Sequence, residues 1–112
     1  MSQITTHILD TTKGKPAQGV TIILYQGGND KWTEKARGIT NADGRISDLL
    51  KKDVLLEHGI YKMRFEVKEY FDKDRVTAFY PYVEIIFDIT TKEHYHIPLL
   101  LNPYGYSTYR GS

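Results

Sequence analysis

The sequence of 112 residues contains no cysteine. This absence excludes a disulfide framework, a thiolate metal site and a cysteine nucleophile. A chain without cysteine is compatible with a reducing compartment.

An excess of charge of either sign is also lacking, because 15 lysine and arginine residues stand against 14 aspartate and glutamate residues. The sequence therefore offers no broad field for a polyanion, and we expect neither nucleic acid nor an anionic membrane as a partner. Residues 1–7 lack the basic start and the apolar run of a secretory signal, and no stretch approaches the ~20 apolar residues of a membrane span. We expect a cytoplasmic protein with a single domain over residues 1–112.

The sequence is rich in short segments in which apolar and polar residues alternate. This period of two is typical of strands, and it is clearest at residues 60–67, 82–89 and 95–101. Further strands are predicted at residues 4–9, 20–25 and 32–37 from their composition and the turns that flank them. Residues 68–75 lack glycine and proline and are predicted to form the single short helix. Seven or eight short strands with turn-rich connections predict an all-β fold, an antiparallel β-sandwich.

The last predicted hairpin has one apolar side and one polar side. The residues on its apolar side, which should face the core, are Tyr95, Ile97, Leu99 and Leu101. His96 then points away from the core, and residues 102–105 have the composition of a turn. Pro98 has no N–H to donate, so we expect it at an edge or a bulge, and a bulge would exchange the faces of the residues after it.

His7 and Arg45 are two further polar residues whose positions the pattern predicts. His7 alternates with Ile4 and Ile8, and the turn at residues 40–45 delivers Arg45 at the start of the next segment. From periodicity alone, such outward residues need no function. His94, two residues before His96, gives a pair with metal-ligand spacing, but no thiolate or carboxylate motif accompanies it, so we expect no metal.

The final residues, from His96 to Ser112, carry a specific resemblance. The run HIPLLLNPYGYSTYRGS closely resembles the carboxyl-terminal signature of the 5-hydroxyisourate hydrolases, which are transthyretin-related proteins. The tetrapeptide Tyr109–Ser112 distinguishes these enzymes from transthyretin itself. Near the other end, Leu9-Asp10 and the loop from Gly14 to Ala17 are also similar to this family.

The resemblance implies a transthyretin-like (prealbumin-like) sandwich and an activity. The implied activity is hydrolysis of the cyclic amide of 5-hydroxyisourate to 2-oxo-4-hydroxy-4-carboxy-5-ureidoimidazoline in urate catabolism, without a cofactor. The implied assembly is a homotetramer, a dimer of dimers around a central channel that admits the small-molecule substrate.

The resemblance also implies the residues of the site. His7, Arg45 and His96 would line the channel and carry the chemistry, and Tyr109 would hold the substrate ring. Histidine suits proton transfer near pH 7, and a guanidinium suits developing negative charge. Ser112 would act through its hydroxyl or through a carboxylate at the chain end.

Two alternatives stay open. A transthyretin-like carrier of small ligands would share the fold, but its channel should be lined by small or aliphatic side chains rather than by two histidines, an arginine and a tyrosine. The nine tyrosines of the sequence fit a binding surface as well. An adhesive β-sandwich module would explain the fold but not the final tetrapeptide.

Overall fold

The computed structural model of the chain describes residues 2–112. Its elements, in chain order, are β1 (Ile4–Asp10), β2 (Lys15–Pro16), β3 (Thr21–Gly28), β4 (Lys31–Ile39), β5 (Arg45–Ile46), β6 (Gly59–Phe65), α1 (Val67–Lys73), β7 (Val83–Ile89), β8 (Tyr95–Asn102) and β9 (Gly105–Thr108). Strands β2 and β5 have only two residues each, so no periodic pattern could predict them. The seven other strands confirm the predicted β-sandwich with one short helix.

The strands form two sheets. One has the order β2-β1-β8-β9, with β5 also paired to β1, and the other has the order β4-β3-β6-β7. All pairs are antiparallel except β1 and β8, which run parallel in the middle of the first sheet. A parallel pair needs a long crossover, and here the whole second sheet lies within that connection.

The core lies between the sheets and follows the alternation of each strand. Ile4 and Ile8 of β1 and Leu99 of β8 are fully buried, and the side chains from the second sheet that meet them include Leu24 and Met63. Because alternate residues of a strand point to opposite faces, burial of these residues turns their neighbours outward. The predicted inward and outward faces of β1 and β8 are confirmed.

Several predicted boundaries are shifted by one to three residues, and two of these shifts change a turn or the helix. Gly27 and Gly28 continue strand β3 and pair with β4, so the turn between these strands is only Asn29 and Asp30. Both residues have positive φ, 51° and 61°, as a two-residue hairpin turn requires. The helix begins at Val67 instead of 68 and ends before Arg75, whose φ of 56° is left-handed.

Pro98 interrupts the pairing of β8 with β9 without a bulge. The ladder between these strands stops at Leu99 and Thr108, and the Thr108 hydroxyl donates to the Pro98 carbonyl at 2.7 Å. Pairing resumes as a single bridge between His96 and Gly111, three residues further along each strand, so the register is unchanged. The chain after β9 therefore runs along β8 to the neighbourhood of His96.

Within residues 2–112, no helix has the length and apolar character needed to cross a membrane.

Candidate active site

The outer face of the parallel pair carries the polar residues singled out from the sequence. Thr5 and His7 are the outward residues of β1, and Thr5 lies directly opposite His96 on β8, while His7 lies opposite Pro98. All three polar side chains are half-buried. Register and alternation together bring side chains from both ends of the sequence to one surface.

Arg45 reaches this surface from the other side of β1. Strand β5 pairs antiparallel with β1, and Arg45 lies directly opposite His7. The preceding turn is fixed by the Asn41 side-chain oxygen, which accepts hydrogen bonds from the N–H of Asp43 at 2.9 Å and of Arg45 at 3.1 Å. Gly44 has a φ of +71°, and a Cβ there would lie 2.5 Å from the Ile8 carbonyl oxygen, so the turn needs glycine to approach β1.

His94 and His96 share one hydroxyl group. The Thr5 Oγ1 lies 2.7 Å from Nε2 of His94 and 2.8 Å from Nδ1 of His96. The two rings are nearly parallel, with centroids 6.3 Å apart and an interplanar angle of 24°. Both side chains are therefore oriented by one threonine on the neighbouring strand.

The last residues of the sequence complete this surface. The Gly111 N–H donates to the His96 carbonyl at 2.9 Å, and a Cβ at Gly111 would lie 2.5 Å from Cδ2 of the His96 ring. The ring thus rests against a residue that has no side chain. Beside it lies a pocket of about 220 Å³, whose lining residues are Thr5, Thr6, Arg45, Ile46, Ser47, His94, His96 and Ser112.

Similarity to known proteins identifies the fold and the relatives of this chain. The model of the HIUase/Transthyretin family matches residues 4–111. The chain belongs to the HIUase/Transthyretin family. A probable 5-hydroxyisourate hydrolase of Schizosaccharomyces pombe is 49% identical to it, over 97% of this chain and 90% of the relative.

Solved structures of both branches of the HIUase/Transthyretin family resemble this one. The 5-hydroxyisourate hydrolase of Klebsiella pneumoniae has a TM-score of 0.86 and 37% identity, covering 97% of this chain and 98% of that one. Sea bream transthyretin in complex with thyroxine has a TM-score of 0.91 and 33% identity, covering 98% and 95%. The transthyretin-like fold is thus shown. Since the hydrolase and the transthyretin–thyroxine complex both superpose well on this chain, the fold does not separate the two functions considered from the sequence.

The surroundings of His7 and His96 favour the neutral forms of these two rings. Burial, followed by the positive charge of Arg45, lowers the pKa of both His7 and His96 below the ordinary 6.5. Positive charge on His94 or His7 would lower the pKa of His96 further. At pH 7 both rings are therefore in the form that can accept a proton.

The predicted site residues do not all meet in this single chain. Arg45, His96 and Ser112 line the pocket, and His7 lies opposite Arg45 without being among the lining residues. Tyr109 instead borders a separate cleft of about 320 Å³ at the open edge between the sheets, together with Arg110. That arginine stacks 4.3 Å above the ring of Tyr95.

Sequence reasoning did not single out Thr5 or Gly111, and it considered His94 only as a metal ligand. In residues 2–112, no cluster of three or more histidine, cysteine, aspartate or glutamate side chains could hold a metal ion. The available signal for Thr5 was its position two residues before His7, which puts both on one face of a strand.

Proposed function

We propose that this chain hydrolyses 5-hydroxyisourate, opening its cyclic amide to 2-oxo-4-hydroxy-4-carboxy-5-ureidoimidazoline. The observation that carries the proposal is the juxtaposition of two neutral histidines, His7 and His96, with the guanidinium of Arg45 on one face of a sheet. The relatives named as 5-hydroxyisourate hydrolases support the choice of substrate.

The chemistry needs a base, a stabiliser of negative charge and an acid. A histidine removes a proton from water, and the resulting hydroxide adds to the amide carbonyl. Arg45 stabilises the oxyanion that forms, because a planar guanidinium pairs with oxygen acceptors through two N–H groups. The carbon–nitrogen bond then breaks, and the protonated histidine returns its proton to the leaving nitrogen.

We assign His7 and His96 to these proton transfers, and Ser112 and Tyr109 to substrate contacts. Ser112 already borders the pocket with His96. Tyr109 lies in the same final segment, two residues before the bridge that ties Gly111 to His96. In the proposed assembly its ring contacts the substrate in the channel. No step requires a metal or an organic cofactor.

A transthyretin-like carrier is the rival function, since sea bream transthyretin in complex with thyroxine has the same fold. The polar side chains in the lining of the pocket, among them Arg45 and His96, favour the enzyme. An iodinated, largely apolar ligand gains little from two histidines and an arginine, whereas a small polar substrate needs such partners.

We also propose a homotetramer, a dimer of dimers in which the outer faces of the first sheet enclose the site. Two observations support it. The pocket beside His96 is open to solvent in the single chain, and β7 and β9 are edge strands whose outer backbone groups are unpaired within residues 2–112. Twofold symmetry would pair such edges. Sedimentation of the full chain should give a tetramer, and a fully active monomer would contradict this arrangement.

One assay tests the proposed function. Freshly generated 5-hydroxyisourate decays with a change in ultraviolet absorbance, and the protein should accelerate this decay in the presence of a chelator. Thyroxine binding, measured by calorimetry, should be absent. Decay at the spontaneous rate with folded protein in excess would reject the enzyme, and tight thyroxine binding would then favour the carrier.

The cytoplasmic location stays a prediction that cell fractionation can test.

A further inference from the structure

The hydroxyl of Thr5 lies between two imidazole nitrogens, and it cannot donate a hydrogen bond to both of them. It carries one proton, so it donates to one ring and accepts from the other. The contacts of 2.7 Å to Nε2 of His94 and 2.8 Å to Nδ1 of His96 are both of hydrogen-bond length. The protonation states of the two rings are therefore linked through this hydroxyl.

The geometry gives the two nitrogens of His96 different tasks. Its Nδ1 is committed to Thr5, and its Cδ2 edge rests against Gly111. Its Nε2 is the nitrogen left to face the pocket. For Nε2 to accept a proton from water, the neutral ring must carry its proton on Nδ1. Thr5 then accepts from His96 and donates to His94.

We propose that Thr5 is a positioning residue that relays a proton from His96 to His94 as His96 takes a proton from water. This inference rests on the proposed hydrolysis and deepens it. In the relay, the water proton moves to Nε2 of His96, the Nδ1 proton moves to the Thr5 oxygen, and the Thr5 hydroxyl proton moves to Nε2 of His94. His96 stays neutral, His94 becomes the imidazolium, and the reverse transfers deliver the proton to the leaving nitrogen.

The surroundings favour His94 over His96 as the residue that carries the positive charge. His96 is half-buried and faces Arg45 from β5, His7 from β1 and Ser112 from the final segment. His94 is solvent-exposed just before β8, where water solvates an imidazolium. The Arg110 guanidinium is 3.4 Å from the His94 backbone carbonyl and 3.7 Å from the Glu93 carboxylate. That carboxylate offsets the positive charge of Arg110 near His94.

The decisive variant is His94→Gln, because it separates a relay from a merely orienting hydrogen bond. The glutamine amide oxygen can accept the hydrogen bond from the Thr5 hydroxyl, as Nε2 of His94 does, but it cannot take up a proton. The relay predicts that kcat falls by ~10²-fold with KM nearly unchanged and that the acid limb of the kcat profile changes shape. Full kcat with an unchanged profile in His94→Gln would overturn the relay.

Substitutions at Thr5 provide the matching series. Thr5→Val removes the hydroxyl with little change in shape and should lose kcat as His94→Gln does, whereas Thr5→Ser should retain kcat within about threefold. The double variant should be no worse than either single one, because the groups act as a unit. Thr33→Val, at an exposed position on the opposite sheet, is the control that should match the wild type. A Thr5→Ser variant as slow as Thr5→Val would overturn the relay.

A measurement without substrate keeps this test separate from that of the proposed function. Nitrogen-15 NMR of the neutral histidines should show His94 and His96 both protonated on Nδ1 in the wild type. In Thr5→Val, His96 should lose this preference. His96 protonated on Nε2 in the resting wild type would overturn the relay, even if the protein hydrolyses 5-hydroxyisourate. The proposed function fails only if the wild type does not accelerate the decay.

Discussion

The two faces of the β1–β8 pair differ sharply although they share one backbone. On the inner face Ile4, Ile8 and Leu99 are completely buried. On the outer face Thr5 and His96 are half-buried, with polar groups joined by a hydrogen bond. Because the two sets occupy alternate positions, the stability of the fold and the chemistry of the site depend on different residues of the same strands. Substitutions should therefore affect one without the other.

The largest effect is expected on the inner face. Leu99→Ala should lower the free energy of unfolding by about 2–5 kcal/mol, because it removes buried methyl groups and leaves a cavity. His96→Asn, on the outer face of the same strand, should change it by less than about 1 kcal/mol. Urea denaturation of both variants measures the difference. Equal losses would show that the two faces are not independent.

On the outer face, substitutions should affect the rate instead. His7→Asn and His96→Asn should each reduce turnover of 5-hydroxyisourate by ~10²-fold or more, because each removes a group that transfers protons. The double variant should be little worse than the worse single one. Circular dichroism should confirm an unchanged fold. Full activity in either single variant would assign that histidine to the surface alone.

A smaller effect is expected where the final segment contacts this face. Gly111→Ala would push a methyl group against the His96 ring, because a Cβ at this position would lie 2.5 Å from Cδ2. We expect kcat to fall by roughly tenfold as the ring is displaced from its working position. Gly28→Ala is the control, because a Cβ at Gly28 meets nothing within 4 Å. Unchanged kcat in Gly111→Ala would mean that the ring can move without loss.

The smallest effect concerns protonation. Arg45→Gln should raise the pKa of both His7 and His96, because it removes a positive charge that now lowers them. A folded-state pKa below 6.5 means that the unfolded chain binds protons first as the pH falls, so the wild type loses stability below pH 6.5. The Arg45→Gln variant should lose less stability than the wild type as the pH falls below 6.5. NMR titration and acid denaturation measure both effects, and a pKa that does not rise would remove Arg45 as a cause.

Sequence reasoning was successful where the information is local. Alternation within one strand assigned the faces of Ile4, His7 and His96, and the glycine turn positioned Arg45. It did not reveal Thr5 as the partner of His96, because a strand pattern gives a face but not the neighbouring strand or its register. The place of Tyr109 in the active site also stays a prediction, since in the single chain it borders another cleft.

At Pro98, too, the local sequence did not predict how the strand pairs with its neighbour. Its missing N–H predicted an edge or a bulge, and the alternatives differ in which face every later residue takes. The structure instead leaves a gap in the β8–β9 ladder and keeps the register, with Leu99 opposite Thr108 and His96 opposite Gly111. Which of these arrangements occurs depends on how β8 pairs with β9, and the residues around Pro98 do not specify that pairing.

The parallel pairing of β1 with β8 has a consequence for how the protein folds. The contact between Thr5 and His96 joins residues 91 apart in the sequence, so a long loop must close before it can form. Contacts of this kind slow folding, and local hairpins such as β3–β4 can form earlier. We therefore expect hydrolytic activity to return only with the last phase of refolding, after most of the strand signal in circular dichroism has recovered.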